Sequence, residues 1–197
     1  MDEEKTKKSG ALAGIYSVVE IIAVAVVVVI LLFTFVARLS TVSGTSMVST
    51  LSNGDKLVIS NLFYTPKTGD IIVFQQSGGY FNEPLIKRVI AVGGQRLRID
   101  FTNWLVYVDG VALDETDYVN RRASTMTYRT EYYEYYADLL DESGTMTIPE
   151  GKIFVMGDNR NGSADSRFPG VGLVDVEDVM GKVLFRLFPI GAFGAVK

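Results

Sequence analysis

The N-terminal part of the chain contains one long apolar run, IYSVVEIIAVAVVVVILLFTFVA, over residues 15–37. Its larger part, residues 21–37, contains no charged side chain. About 20 apolar residues in a helix span the hydrocarbon layer of a bilayer, and lipid offers the backbone no hydrogen-bond partner outside the helix. We therefore predict a transmembrane helix over residues 15–37, preceded by a tail over residues 1–14.

The charges on either side of this run predict its orientation. Lys5, Lys7 and Lys8 precede the run, whereas only Arg38 follows it closely. Because positive charge is retained on the cytoplasmic side, we expect the N-terminus inside the cell and the bulk of the chain outside. A cleaved secretory signal fits less well, because the residues before Arg38 make a poor cleavage site. A buried core helix also fits less well, because the run has no polar face.

After Arg38 the apolar positions recur with a period of two, which is typical of β-strands. The runs that predict strands are LVIS, DIIVF, LIKRVIAV, LVYVDGVAL, KIFVMGD and GKVLFRLFP. Asp109 and Gly110 divide one of these runs and are a strong hairpin signal. No convincing amphipathic helix is evident in this part. We therefore predict a mainly β fold, a β-barrel or sandwich over residues 38–197, tethered by one N-terminal transmembrane helix.

Residues 114–145 interrupt this alternation. The segment includes TEYYEYYADLLDESG and is rich in Tyr, Glu and Asp. One interpretation is a variable insertion that covers the β domain, with tyrosine rings on apolar neighbours and their hydroxyls in water. The other is a recognition surface for a partner or the cell wall. The first interpretation is favoured.

Composition excludes several kinds of chemistry. The 197 residues include neither Cys nor His, so disulfides, thiolate metal sites, His-ligated zinc and triads with an imidazole base are excluded. The net charge of −4 gives no indication of nucleic-acid binding. Acid–base chemistry near neutral pH must then use a Lys, Asp, Glu or Tyr with a displaced pKa. We expect no cofactor and no metal.

A candidate nucleophile lies just beyond the apolar run, in SGTSMVST over residues 43–50. Ser46 in this stretch needs a base other than imidazole. In LIKRVIAV, strand alternation places Lys87 on the same face as Leu85 and Val89. Burial among apolar neighbours disfavours the ammonium form, so Lys87 is the candidate general base. Each residue alone has a simpler explanation, because Gly-Thr-Ser is common in loops and strand lysines usually extend into solvent.

A third polar element, GDNRNGSADSR over residues 157–167, follows the predicted strand KIFVM. Its Gly, Asp, Asn and Ser content is typical of a tight turn and surface loop. The element also contains more specific polar groups than a linker needs. Asp165 and Arg167 can form an ion pair, and Ser163 can donate a hydrogen bond inward.

Together these motifs resemble those of bacterial type I signal peptidases. The resemblance depends on the membrane anchor, SGTSM, GDIIVF, IKRVIAVGG and GDNRNGSADSR, which occur in the family's order and cover nearly the whole chain. Each motif is weak alone, whereas the ordered set is specific. The size and the single predicted anchor are similar to the Gram-positive type. The resemblance implies a signal-peptidase-like catalytic β domain and a serine endopeptidase with a Ser/Lys dyad.

The resemblance also implies roles for individual residues. Ser46 matches the nucleophile, and Lys87 matches the general base. Ser163 matches the serine that orients the lysine amine. The remaining matches support the site or bind substrate: the ion pair of Asp165 and Arg167, the loop start at Gly157 and Asp158, Arg88 beside the base, and Met47 in the pocket before the scissile bond. For the mechanism that the resemblance implies, the segment around Pro84 to Ile86, with Leu85 and Ile86, is a plausible edge on which an extended substrate would pair.

Two positions depart from the family's pattern. Ser49 stands where proline is usual, and proline would stiffen the turn after the nucleophile. Some relatives place a serine hydroxyl in the oxyanion hole two positions before the nucleophile. This chain has Gly44 there, and many Gram-positive members also lack that serine. The oxyanion hole would then depend mainly on the backbone N–H of Ser46.

The resemblance implies removal of signal peptides from exported preproteins with Ala-X-Ala sites. The enzyme would be a single-pass protein of the cell membrane, in contact with lipid and with the secretion translocon. One alternative is a specialised or non-catalytic relative that acts in pilus assembly as a chaperone or selective processing factor, which Ser49 and the acidic insertion would fit. Another is a self-cleaving Ser/Lys regulator, against which the predicted membrane span and the lack of a DNA-binding region argue.

Overall fold

The computed structural model describes residues 2–35, 37–119 and 130–196. The chain divides into two compact units, one that ends at Arg38 and one that begins at Leu39. Residues 120–129, which belong to the predicted insertion, lie outside the described residues.

The first unit is a single helix, α1, over Asp2–Phe35. It contains most of the apolar run, and the large apolar side chains from Val18 to Leu31 are each 50% or more exposed. Within the described residues, no helix combines the length and the apolar content that a membrane crossing requires. The helix covers residues 15–35 of the predicted run and continues through residues 2–14 of the predicted tail. Insertion of the run into a membrane stays a prediction.

The second unit is mainly β, as predicted, and its strands form two sheets. The strands are β1 (Arg38–Thr41), β2 (Lys56–Ser60), β3 (Ile71–Phe74), β4 (Leu85–Val92), β5 (Arg96–Asp100), β6 (Leu105–Val108), β7 (Val111–Ala112), β8 (Met146–Thr147), β9 (Lys152–Met156), β10 (Val174–Asp175), β11 (Val179–Phe188) and β12 (Gly194–Ala195). A helix, α2 (Thr130–Ala137), precedes β8, and short 3₁₀ turns cover Val176–Asp178 and Ile190–Ala192. The larger sheet has the order β1-β2-β11-β3-β4-β9-β10, with β12 beside β11, and the smaller has the order β7-β6-β5-β8. Within these sheets, β2 to β12 pair in antiparallel directions.

All six runs predicted as strands form strands, and the predicted hairpin is confirmed. Asp109 and Gly110 join β6 to β7 with φ angles of +52° and +81°, and Val108 lies opposite Val111. Positive φ at both central residues is the geometry of a type I′ turn, whose twist matches that of the flanking strands.

The expectation of a second unit without a helix is wrong, because α2 lies within the insertion. Tyr136 in α2 is 1% exposed and packs edge-to-face against Phe101 and Phe154. Its hydroxyl is also buried and accepts a hydrogen bond from the N–H of Ile99 at 2.8 Å. Such a short helix is stabilised mainly by tertiary packing. The insertion thus contributes a residue to the core beside the smaller sheet.

β4 lies between β3 and β9, and its two sides are paired over different lengths. β3 pairs with residues 85–88 of β4, whereas β9 pairs with it only from Arg88 onward. Among the described residues, Leu85, Ile86 and Lys87 therefore have no strand partner on the side of β9. This open segment carries the candidate base.

Candidate active site

The structure brings Ser46 and Lys87 together, although they are 41 residues apart in sequence. Ser46 lies in the turn after β1, and Lys87 lies in the open segment of β4. The amine of Lys87 is 2.9 Å from the hydroxyl oxygen of Ser46 and 3.0 Å from the carbonyl oxygen of Ile86. A nucleophile within hydrogen-bond distance of its base is the arrangement that activates a serine.

Burial gives Lys87 the pKa of a usable base. Its side chain lies in the interior, at 3% exposure. Burial lowers the pKa of Lys87 from 10.5 to about 8, while the negative charge of Asp165 opposes part of this effect. The neutral amine, which can accept the Ser46 proton, is therefore well populated at mildly alkaline pH.

The loop over residues 157–167 holds the nucleophile turn from one side. The N–H of Asn159 donates to the carbonyl oxygen of Ser46 at 3.0 Å, and its side-chain amide donates to the carbonyl oxygen of Thr45 at 3.1 Å. A Cβ on Gly157 would lie 2.5 Å from the Ser46 carbonyl oxygen, so only glycine allows this approach. Asn159 was missed in the sequence analysis, although Asn in a tight loop is suited to bonding nearby backbone groups.

Ser163, predicted to orient the lysine amine, is buried in the same loop. It is 4% exposed, and a Cβ on Gly157 would lie 2.3 Å from its Oγ. Its hydroxyl contributes to the lowered pKa of Asp165, although its Oγ meets no partner in full hydrogen-bonding geometry among the described residues. The orienting role of Ser163 therefore stays a prediction.

The predicted ion pair of Asp165 and Arg167 is formed and fully enclosed. Arg167 donates two hydrogen bonds of 2.8 Å to the carboxylate, and both side chains are at most 2% exposed. Burial raises the pKa of Asp165, but the guanidinium of Arg167, the N–H of Gly157 and the hydroxyl of Ser163 together lower it below its ordinary value. The carboxylate also accepts the N–H of Gly157 at 3.0 Å, which fixes the start of the loop.

A second buried pair joins the loop to the strand of the base. Arg88 donates two hydrogen bonds of 2.8 Å to Asp158, from its Nε and one Nη. Asp158 also accepts a hydrogen bond from the hydroxyl of Thr50, in the turn after the nucleophile. The sequence analysis expected both charged residues to support the site, but it did not pair them with each other.

A groove beside the dyad contains the residues predicted to bind substrate. Its walls are residues 40–44 and 83–87, with Ser46 and Met47 between them. Met47 is 2% exposed and Ile86 is 9% exposed, so the apolar part of the groove is already packed. Glu83, which the sequence analysis did not consider, adds a carboxylate to the rim.

The backbone near the nucleophile leaves N–H groups available to a substrate. The N–H of Gly44, which has a φ of +89°, donates to the side chain of Asn53 at 3.0 Å. The N–H of Ser46 has no acceptor among the described residues. Ser49 has a φ of +94°, which proline cannot adopt because its ring holds φ near about −65°.

Comparison with known proteins gives one matching family and several similar proteins. The family described as signal peptidase, peptidase S26, matches residues 15–188. A probable signal peptidase I-1 of Synechocystis sp. is 36% identical in an alignment of 185 residues, which covers 89% of this chain and 84% of that protein. Signal peptidase IB of Staphylococcus aureus is 33% identical in an alignment of 178 residues, which covers 87% of this chain and 88% of that protein.

A crystal structure of a signal peptidase I from Enterococcus faecalis V583 matches with 29% sequence identity and a TM-score of 0.45. The match covers 60% of this chain and 97% of the Enterococcus chain. The family match includes the candidate nucleophile, the candidate base and the loop over residues 157–167. The chain belongs to the signal peptidase family, peptidase S26.

Proposed function

We propose that the protein is a membrane-bound signal peptidase I that removes signal peptides from exported preproteins, with Ser46 as nucleophile and Lys87 as general base. The observation that carries this proposal is the 2.9 Å separation between the Ser46 hydroxyl and the Lys87 amine. The family is one of peptide-bond hydrolases, and the dyad supplies the chemistry that such a reaction needs.

The reaction follows from the roles of these groups. The neutral amine of Lys87 accepts the Ser46 proton as Oγ attacks the scissile carbonyl carbon. The N–H of Ser46 donates a hydrogen bond to the resulting oxyanion. The scissile C–N bond then breaks, and the lysine ammonium protonates the departing amine. The acyl group stays bound to the oxygen of Ser46 as an acyl-enzyme. Water attacks the acyl-enzyme, again with Lys87 as base, and Ser46 is regenerated.

The open segment of β4 supports an extended substrate. Leu85 and Ile86 have no partner on the side of β9 within the described strands, so a peptide can pair there by backbone hydrogen bonds. Met47 narrows the groove next to Ser46, and a narrow pocket admits short side chains by excluding larger ones. Both features favour preproteins with Ala-X-Ala sites as substrates.

Single-pass attachment to the cell membrane through α1 is part of the proposal. It is supported by the exposed apolar side chains from Val18 to Leu31 and by the lysines that precede the apolar run. The second unit would lie outside the cytoplasm, in contact with lipid and near the secretion translocon. The test is retention of the full chain in carbonate-washed membranes, with proteolysis of the second unit only from the outer side. Release by carbonate would contradict attachment by a membrane span.

The enzymatic test compares wild type with Ser46→Ala and Lys87→Ala on a preprotein that carries an Ala-X-Ala site, in detergent. Wild type should cut after the second alanine, and both variants should lose about 1,000-fold or more in rate. Lys152→Ala is the matched control, because this lysine lies in β9 and pairs with Asp175 at the surface.

Two results would count against the proposal. One is a folded wild type that fails on several preproteins that another signal peptidase cleaves under the same conditions, and the other is full activity of Ser46→Ala. Binding of preproteins without cleavage would favour the specialised or non-catalytic alternative. Cleavage of the protein's own chain alone would favour the self-cleaving regulator.

A further inference from the structure

The first part of the insertion contacts the turn that carries the nucleophile. We call residues Asp114–Val119 the strap. The hydroxyl of Ser49, three residues after the nucleophile, donates a hydrogen bond to the carbonyl oxygen of Tyr118 in the strap. The ring of Tyr118 lies under the guanidinium of Arg88, 3.9 Å from its carbon to the ring centroid. The strap thus contacts both the nucleophile turn and the strand of the base.

A buried ion pair anchors the strap to the loop over residues 157–167. Glu115 is 0% exposed, and its two carboxylate oxygens accept hydrogen bonds from the two terminal nitrogens of Arg160. The Nε of Arg160 donates to the carbonyl oxygen of Gly157 at 3.1 Å. Since Gly157 packs against the carbonyl oxygen of the nucleophile, the pair connects the strap to the loop segment that holds the nucleophile turn.

These contacts close a ring around the nucleophile turn. Thr50 donates to Asp158, and Asp158 pairs with Arg88. Arg88 stacks on Tyr118, whose carbonyl oxygen accepts from Ser49. Ser49 and Thr50 are adjacent in the turn, so the ring joins the turn of the nucleophile to the strand of the base through the strap.

The backbone of Ser49 requires such support. Its φ of +94° lies in the left-handed region, which residues other than glycine rarely adopt. A conformation of this kind persists where the surrounding structure determines it. Within the described residues, the Ser49 hydroxyl makes one hydrogen bond, which it donates to the carbonyl oxygen of Tyr118.

We propose that the strap is a positioning device for the nucleophile turn, and that Ser49, Glu115 and Tyr118 are positioning residues. This inference rests on the proposed Ser/Lys peptidase activity. The strap restrains the turn in the conformation that places the nucleophile 2.9 Å from the base. The strap does not line the substrate groove, so its loss should lower kcat and leave KM nearly unchanged. A displacement of about 1 Å in a catalytic group can lower the rate by about 100-fold.

The experiment uses the full chain in detergent and four variants, Ser49→Ala, Tyr118→Ala, Tyr118→Phe and Asp117→Asn. Peptide kinetics give kcat and KM, and hydrogen-exchange mass spectrometry reports the mobility of residues 43–51. Ser49→Ala and Tyr118→Ala should each lower kcat by about 10-fold or more, change KM by less than about twofold, and speed exchange in residues 43–51.

The other two variants separate positioning from general damage. Tyr118→Phe keeps the ring under Arg88 and removes only the hydroxyl, which donates a long hydrogen bond of 3.3 Å to Glu115, so kcat and exchange should lie much closer to wild type than in Tyr118→Ala. Asp117→Asn changes an exposed strap residue and should match wild type in both measurements. If Tyr118→Ala destabilises the whole second unit, exchange will also speed up in β9. In that case Ser49→Ala, which removes only one oxygen atom, decides whether the strap restrains the nucleophile turn.

Unchanged exchange and unchanged kcat in Ser49→Ala and Tyr118→Ala would overturn the inference. A higher KM with constant kcat would overturn it as well, because it would make the strap a substrate-binding element. An inactive wild type would refute the proposed function, whereas the exchange measurements would still decide whether the strap restrains the turn.

Discussion

Replacement of Lys87 by methionine tests the physical basis of the proposed base. Lys87 is 3% exposed, and burial lowers its pKa from 10.5 to about 8. Each unit of pKa corresponds to about 1.4 kcal/mol, so folding disfavours the ammonium form by about 3 kcal/mol. Methionine has a similar length and no charge. At pH 7, Lys87→Met should therefore be inactive, yet more stable than wild type by up to about 3 kcal/mol.

The pH dependence of this difference identifies its cause. Below pH 8 the amine is protonated in both the folded and the unfolded chain, and the full penalty lowers the stability of wild type. Between pH 8 and 10.5 the unfolded chain binds more protons, so wild-type stability rises with pH. At pH 10 only about 1 kcal/mol of the penalty remains, so the gap to Lys87→Met should narrow by about 2 kcal/mol from pH 7.

The assay is urea unfolding of wild type and Lys87→Met at pH 7 and pH 10, followed by the fluorescence of the single tryptophan, Trp104. Trp104 packs against the core cluster beside the smaller sheet, so its emission reports unfolding of the second unit. Lys152→Met is the control, because this lysine is partly exposed in β9. Lys87→Met also removes the hydrogen bond from Lys87 to the carbonyl oxygen of Ile86. This loss lowers the stability of the variant by an amount that does not depend on pH. A gap between wild type and Lys87→Met that stays constant or widens towards pH 10 would refute the reasoning.

Three further predictions follow from the site and the core. Gly157→Ala would place a Cβ 2.5 Å from the carbonyl oxygen of Ser46, so kcat on a peptide substrate should fall by about 100-fold, and near-normal kcat would contradict the tight contact. Wild-type kcat/KM should rise as pH increases through about 8, because the neutral amine of Lys87 is the active form; a flat profile from about pH 6 to 9 would exclude this base. Tyr136→Phe should lower the free energy of unfolding by about 1–3 kcal/mol without changing kcat, because the N–H of Ile99 loses a buried acceptor; equal urea midpoints would contradict this.

Much of the larger sheet could be predicted from the sequence, because its main strands combine β-branched residues with clear turn signals. β4 matches the predicted run LIKRVIAV from Leu85 to Val92. β8, β10 and β12 have two residues each, too few for a period of two to be visible. α2 was missed because its position depends on the packing of one ring, that of Tyr136, and not on a long apolar face.

The candidate dyad could be proposed from sequence because the absence of histidine leaves few bases, and a lysine in an apolar strand is one of them. The distance between Ser46 and Lys87 could not be predicted, since it depends on how the turn after β1 packs against β4, 41 residues away in sequence. The same holds for the buried pair of Arg160 and Glu115, whose members are 45 residues apart. Ion pairs between distant segments leave no periodic signal in a single sequence.

The pairing of charges around the site explains why Lys87 differs from its cationic neighbours. Each of three buried arginines has a buried carboxylate partner: Arg88 with Asp158, Arg160 with Glu115, and Arg167 with Asp165. Lys87 is equally buried, yet no ion-pair partner for it is present in the described parts of the chain. A carboxylate close to Lys87 would stabilise the ammonium form and raise its pKa, as Asp165 already does in part. Because that carboxylate is held in an ion pair by Arg167, the pKa of Lys87 depends on an ion pair to which Lys87 does not belong.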